Sequence, residues 1–249
     1  MRYFIKLSYN GYKYYGWQKQ LNRITIEEEI ENKITIILKK KINIIGASRT
    51  DKGVHANIMF AHFDYDFKIN KKEILYKLNL LISNNIKIHD IFKVNNDIHA
   101  RYNVKYRIYK YMISYEKNPF FINLYWYWKY KKKLNIDLMN KAVNIIINRK
   151  NFYLFSKKKN NNNNNHICKI YYAYWTKINN FICFFIKSNR FLRKMVRLII
   201  SKCIDVSLRK ENIYELIKNI KNKKIIYYIN VPPHGLYLYK IKYNKNIYL

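Results

Sequence analysis

The chain has 249 residues, room for one large domain or two of ordinary size, and its 49% apolar and 17% aromatic content argues against general disorder. It carries 49 Lys and Arg against 15 Asp and Glu, a formal net charge of +34 that implies a polyanionic partner or an acidic membrane surface. The membrane option is the weaker one, because the longest apolar run is Phe181 to Ile186 and the alternating start, Met1-Arg2-Tyr3-Phe4-Ile5-Lys6, lacks a secretory apolar block.

Lys outnumbers Arg 39 to 10, and Ile, Asn and Tyr are abundant, so A/T-rich codons account for part of the lysine excess. They account less well for the scarcity of acids. Cys168, Cys183 and Cys203 are widely spaced and form no C-x-x-C pair, a pattern expected of buried thiols in a reducing cytoplasm rather than of disulfides or a zinc site.

In chain order, Arg2 to Tyr9 alternates as a strand and stops at the turn signal Asn10-Gly11. Thr25-Ile26-Glu27-Glu28 reads as a capping box, and Ile26, Ile30, Ile34 and Ile37 predict a helix to about Lys40. A short strand is expected over Ile42 to Ile45, another over Ile58 to Phe63, a helix over Lys71 to Leu81 and a strand over Ile86 to Val94. In the second half, Tyr106 to Tyr115 reads as a strand and Ile136 to Ile147 as a helix. Cys168 to Lys177 and Phe181 to Lys187 then form a strand pair turning at Asn179-Asn180. Hairpin strands mixed with helices indicate an α+β protein with largely antiparallel sheet, divided near Asn103 into halves 1–103 and 104–249. Lys157 to Asn165 is a low-complexity Lys/Asn run, expected to be a disordered surface loop.

The chemistry concentrates in Arg49-Thr50-Asp51-Lys52-Gly53-Val54-His55-Ala56, which spends one of seven Asp residues between Gly46 and Gly53. Thr-Asp-Lys-Gly alone is ordinary turn chemistry. Arg49 and His55, however, put a cation and an imidazole in the same loop as the anion. A catalytic Asp in a dry site needs a cationic partner to stay ionised. One source is a helix expected to be capped by Ser188-Asn189, whose apolar positions would place Arg190, Arg193, Lys194, Arg197 and Ser201 on the opposite side. That stripe reads either as a solvated face or as a cleft wall offering Arg to a carboxylate and to phosphates. On the Tyr106 to Tyr111 stretch, alternation sends Arg107, Tyr109 and Tyr111 to one side, a mixture of rings and cations suited to bases and backbone.

Together these stretches resemble the TruA family of transfer-RNA pseudouridine synthases. The resemblance rests on Gly46-Ala47-Ser48-Arg49-Thr50-Asp51-Lys52-Gly53-Val54-His55-Ala56, on Tyr14-Tyr15-Gly16-Trp17-Gln18, and on His99-Ala100-Arg101-Tyr102. It continues in the Tyr109 strand, Lys194-Met195-Val196-Arg197, and Pro232-Pro233-His234-Gly235-Leu236-Tyr237-Leu238, in family order across nearly the whole chain. Departures fall at Ile58-Met59, Ile82 to Ile86 and Asn151 to Phe155.

The resemblance implies isomerisation of uridine to pseudouridine at positions 38 to 40 of the tRNA anticodon arm, with the base flipped out of its stack. It also implies two ferredoxin-like (RRM-like) halves joined across a basic cleft, a cytoplasmic homodimer, and no need of a metal or small-molecule cofactor. By the same resemblance Asp51 acts on the ribose, Arg197 keeps it charged, and Tyr109 stacks on the uracil. Arg49 takes the place of the flipped base or grips its phosphate, and His55 and Lys194 lie in the matching segments. Arg101, Arg107, Arg190 and Arg193 are expected to contact RNA. The competing reading from another class, a non-catalytic RNA-binding or RNA-folding protein, explains the charge but gives Asp51 no task.

Overall fold

The computed structural model describes residues 1–157, 166–223, 230–244 and 247. Two compact units emerge, Met1–Arg107 with Tyr237–Leu249, and Ile108–Leu236. Both mix helices with mostly antiparallel strands. No helix among the described residues is long and apolar enough to cross a membrane.

The first unit holds β1 (Arg2–Tyr9), α1 (Ile26–Leu38), β2 (Ile45–Gly46), β3 (His55–Asp64), α2 (Lys71–Leu81) and β4 (Ile86–Val94). Its strands run in the order β4-β1-β3, with β2 on β3 and both β1 pairings antiparallel. The chain's last described strand pairs in parallel with β3 through His55↔Tyr237 and Ala56↔Leu238, so the C-terminal segment belongs here and not with the second half. Tyr3, Ile5 and Leu7 on β1 are buried at the strand period, together with Ile30 and Ile34 at helical spacing on α1 and Leu78 on α2. On its other face Phe4 meets His62, Phe92 and Tyr243.

Two local expectations change. Thr25 caps α1 by accepting from the Glu28 N–H, but Glu28 does not complete a capping box; its carboxylate faces Lys19 at 3.7 Å. The strand expected over Ile42 to Ile45 shrinks to Ile45–Gly46, because α1 side chains take the preceding amides: Ile42 N–H donates to Thr35 Oγ1 and Ile44 N–H to Glu31 Oε1.

β5 (Val104–Ser114) starts in the first unit and enters the second at Ile108; that unit continues through β6 (Trp126–Tyr127), α3 (Ile136–Ile147), β7 (Ile170–Ile178), β8 (Phe181–Ser188), α4 (Met195–Ser207) and α5 (Ile213–Lys221). β9 (Leu236–Tyr243) is the strand already placed beside β3. The sheet order is β5-β8-β7, with β6 parallel to β5 and Asn179 in the left-handed region at the β7–β8 turn. Met139, Val143 and Ile146 of α3, and Ile199 and Cys203 of α4, are buried along with Ala173, Trp175 and Phe184 of the sheet. At the C-terminal end of α4 a buried ammonium, Lys202, lies 3.1 Å from Glu211 and 3.5 Å from Asp205. Asn219 satisfies the other oxygen of Glu211, and burial raises the Asp205 carboxyl. The Lys/Asn run lies outside the described residues apart from Lys157.

Candidate active site

The Asp51 loop joins β2 to β3 and is held almost entirely by backbone. The Asp51 carbonyl accepts from Val54 N–H at 3.1 Å, closing a turn whose third residue, Gly53, has φ +77. That positive φ is what a type II turn demands of its third position. The segment between β1 and α1 clamps the turn from outside. Trp17 N–H donates to the Thr50 carbonyl at 3.1 Å, and Gly53 N–H donates to the Tyr14 carbonyl at 3.2 Å. The buried Thr50 hydroxyl meets the Tyr9 hydroxyl at 2.8 Å.

Two glycines permit this approach. Gly16 has φ +98, and a methyl group there would lie 2.5 Å from the Thr50 carbonyl oxygen. At Gly11 the same group would stand 2.0 Å from the Val54 carbonyl oxygen. No side chain other than hydrogen fits either place. Asp51 therefore sits half-buried on a backbone pinned before and after it.

Around the turn the charges divide. Arg49 and Lys52 are exposed. Lys52 Nζ lies 3.9 Å from the centre of the Tyr15 ring and the Arg23 guanidinium carbon 4.5 Å from it, and Lys52 leads in pulling that phenol below its usual range. Glu27 binds Trp17 Nε1 at 3.0 Å and Lys19 N–H at 2.7 Å, and its carboxyl is raised chiefly by burial, with Arg49 acting the other way.

His55 and Arg107, both expected at the RNA, are packed inside. His55 is 1% exposed; its Nδ1 accepts from Gly11 N–H at 3.0 Å, which puts the ring proton on Nε2, and the ring lies against Tyr237 at 4.7 Å. Arg107 is buried and donates to the Ala47 carbonyl at 2.6 and 3.2 Å and to the Arg101 carbonyl at 2.9 Å. It ties the strand leaving the unit to the start of the Asp51 loop. Arg101 is half-buried.

The remaining candidates lie in the second unit. Tyr109 is buried on β5, edge-on to Phe191 at 5.0 Å. Arg197 lies in the first turn of α4, where Nε donates to the Val231 carbonyl at 2.8 Å, Nη2 donates to the same oxygen, and Asn230 Oδ1 stands 3.5 Å from Nη2. The 230–235 segment that holds it is itself braced by Tyr111, whose hydroxyl donates to the Pro232 carbonyl at 2.8 Å and whose ring leaves no room for a side chain at Gly235. Burial, followed by the charge of Arg197, lowers the His234 imidazole.

The expected stripe is not helical throughout. α4 begins at Met195, with Lys194 at φ +62, so Arg190, Arg193 and Lys194 occupy the exposed approach to the helix and only Arg197 and Ser201 lie on it. Ser188 is no cap; its hydroxyl contacts the Lys169 and Arg190 carbonyls. Among the described residues no three His, Cys, Asp or Glu side chains gather as a metal site.

Residues 148–244 match the family model described as tRNA pseudouridine synthase. The chain is 41% identical over 243 residues to tRNA pseudouridine synthase A of Azobacteroides pseudotrichonymphae, covering 97% of this chain and 96% of that one. The chain belongs to the TruA family. A second TruA relative, tRNA pseudouridine synthase A of Bacteroides fragilis, is 35% identical over 250 residues, with 99% and 98% covered. A third, from a Thermoanaerobacter species, is 35% identical over 244 residues, with 96% and 98% covered. The TruA assignment therefore extends through both the Asp51 loop and the Arg197 helix.

Proposed function

We propose that the Asp51 turn is the reaction centre of a cytoplasmic enzyme isomerising uridine to pseudouridine at positions 38 to 40 of the tRNA anticodon arm. The chain is an isomerase of tRNA uridine. In this reaction the N1–C1′ bond breaks, the uracil rotates, a C5–C1′ bond forms, the C5 proton leaves and N1 gains one. Asp51 attacks the ribose or takes a proton from it, and then assists loss of the C5 proton. Arg197 keeps the carboxylate ionised, Tyr109 stacks on the flipped base, and Arg49 takes the space it vacates or grips its phosphate. Arg101, Arg190, Arg193 and Lys194 serve the RNA backbone. Each half of the chain follows a ferredoxin-like plan, and the enzyme works as a homodimer.

The observation that carries this reading is the over-determined turn, two glycines and three backbone hydrogen bonds spent on fixing one half-buried aspartate. Such investment suits a group whose position governs a rate. The test is carbodiimide and mass-shift mapping of tRNA treated with the purified protein and with Asp51→Asn. Product at positions 38 to 40 with the wild type alone is expected, with RNA binding kept in the variant. Product in neither sample would favour a non-catalytic RNA-binding role, and product in both would remove Asp51 from the reaction. Light scattering on the eluting protein tests the dimer; a monomer at working concentration counts against it.

A further inference from the structure

In the second unit α3 packs against β7, so helix covers one face of the sheet. Ala173, Trp175 and Phe184 are buried on the helix-backed side, where Trp175 reaches Cys203 of α4. Alternation sends Tyr172 and Tyr174 of β7, with Phe185 and Lys187 of β8, to the opposite side, in the register Tyr172↔Lys187 and Tyr174↔Phe185. Those rings form a connected row. Tyr174 stacks on Phe185, the ring centres 5.5 Å apart and the planes 27° from parallel. Tyr172 follows at 5.7 Å from Tyr174. Ammonium groups lie beside the row: Lys187 is 5.8 Å from the Tyr172 ring centre, Lys110 of β5 is 5.9 Å from that of Phe185, and at the register irregularity between Ile170 and Tyr172 the Tyr171 ring centre comes 5.3 Å from Lys187. Tyr171 and Tyr174 are each 44% exposed.

We propose that this lysine-flanked aromatic face is a platform for unpaired nucleotides of RNA, separate from the Asp51 turn. It deepens the reading above by giving the same RNA a second contact, and it rests on that reading for which RNA is met. A helix-backed sheet with rings on its open side binds bases by stacking, while cations beside the rings neutralise the backbone. The strands β5, β7 and β8 contain no Asp or Glu, so the face is complementary to a polyanion. A second copy of the same face would set lysine against lysine.

The test uses the full-length protein and a fluorescein-labelled 12-nucleotide oligouridylate, with a duplex RNA of equal length for comparison. Tyr174→Ala and Phe185→Ala should each weaken oligouridylate binding about 5- to 100-fold, the range expected for losing one stacked base. Tyr174→Phe, which keeps the ring, should bind within about threefold of wild type, and Lys187→Ala should shallow the salt dependence by about 0.7 in log–log slope. Isomerisation of an isolated anticodon stem-loop should be unchanged in all four. Wild-type oligouridylate affinity in both alanine variants overturns the proposal. So does a change in sedimentation from dimer to monomer with RNA affinity intact, which would assign the face to a second copy. If the variants lose oligouridylate binding while the wild type isomerises nothing, the platform stands and the proposed reaction falls.

Discussion

Replacing Gly16 by alanine probes whether the position of the Asp51 turn governs catalysis. The new methyl group meets the Thr50 carbonyl oxygen at 2.5 Å and the Asp51 carbonyl carbon at 3.1 Å, whereas ordinary contact begins near 3.4 Å. The turn or the glycine segment must therefore yield by about 0.9 Å, the difference between 2.5 and 3.4 Å. Alanine at positive φ costs about 1–2 kcal/mol, and overpacking about 1–3 kcal/mol more. At roughly 2–4 °C per kcal/mol for a chain of this size, the melting temperature should fall by about 10 °C. A displacement near 1 Å in a catalytic group costs on the order of 10²-fold in rate. At a temperature where both proteins are folded, single-turnover kcat on anticodon stem-loop RNA should fall 10- to 100-fold, with KM within about threefold. A variant with the lowered melting temperature and an unaltered kcat would show that this clamp stabilises the fold without setting the reaction.

Further substitutions test the rest of the framework. Arg107→Met leaves the Ala47 and Arg101 carbonyls without their donor and should destabilise the chain by about 2–4 kcal/mol in urea denaturation, with a loss of turnover that Arg107→Lys only partly restores. Arg197→Lys keeps the charge but cannot offer both Nε and Nη2 to the Val231 carbonyl, so kcat should drop at least 10-fold while tRNA binding changes little. Lys202→Ala strands Asp205 and Glu211 in a buried setting and should cost about 3–5 kcal/mol by the same denaturation. His62 is 2% exposed, and its pKa is lowered to about 4, first by burial and then by Arg2. The unfolded chain then binds the extra proton between about pH 6.5 and 4, so stability falls as pH drops through that window, by up to about 3 kcal/mol, and levels off below it. His62→Gln should flatten that limb; an unaltered acid limb would remove His62 as its cause.

Much of the fold was legible because the periodicity is clean. β1, α2, β4 and α3 occupy the expected residues, since in each the buried positions recur at the strand or helix period. The start of α4 was not legible. Phe191 and Leu192 fall in phase with the helix, but the chain enters through a left-handed Lys194, and Ser188 spends its hydroxyl on the Lys169 and Arg190 carbonyls. α5 went unread although Asn212 and Glu215 form a full capping box, a signal present in the sequence. β9 is a different case, because its parallel pairing with β3 joins residues about 180 positions apart and leaves no local trace. The site divides in the same way. The Asp51 turn was readable from Asp-Lys-Gly, while the burial of His55 and Arg107 depends on Gly11 and on the Ala47 carbonyl, partners that only the tertiary fold supplies.

Whether the Asp51 carboxylate performs the isomerisation is tested most directly by proton loss from C5. A tRNA carrying [5-³H]uridine should release tritium to water with the wild-type protein, one equivalent for each uridine converted. Asp51→Asn, bound to the same RNA with equal affinity, should release none above the protein-free control. Tritium released by that variant at the wild-type rate would contradict the account.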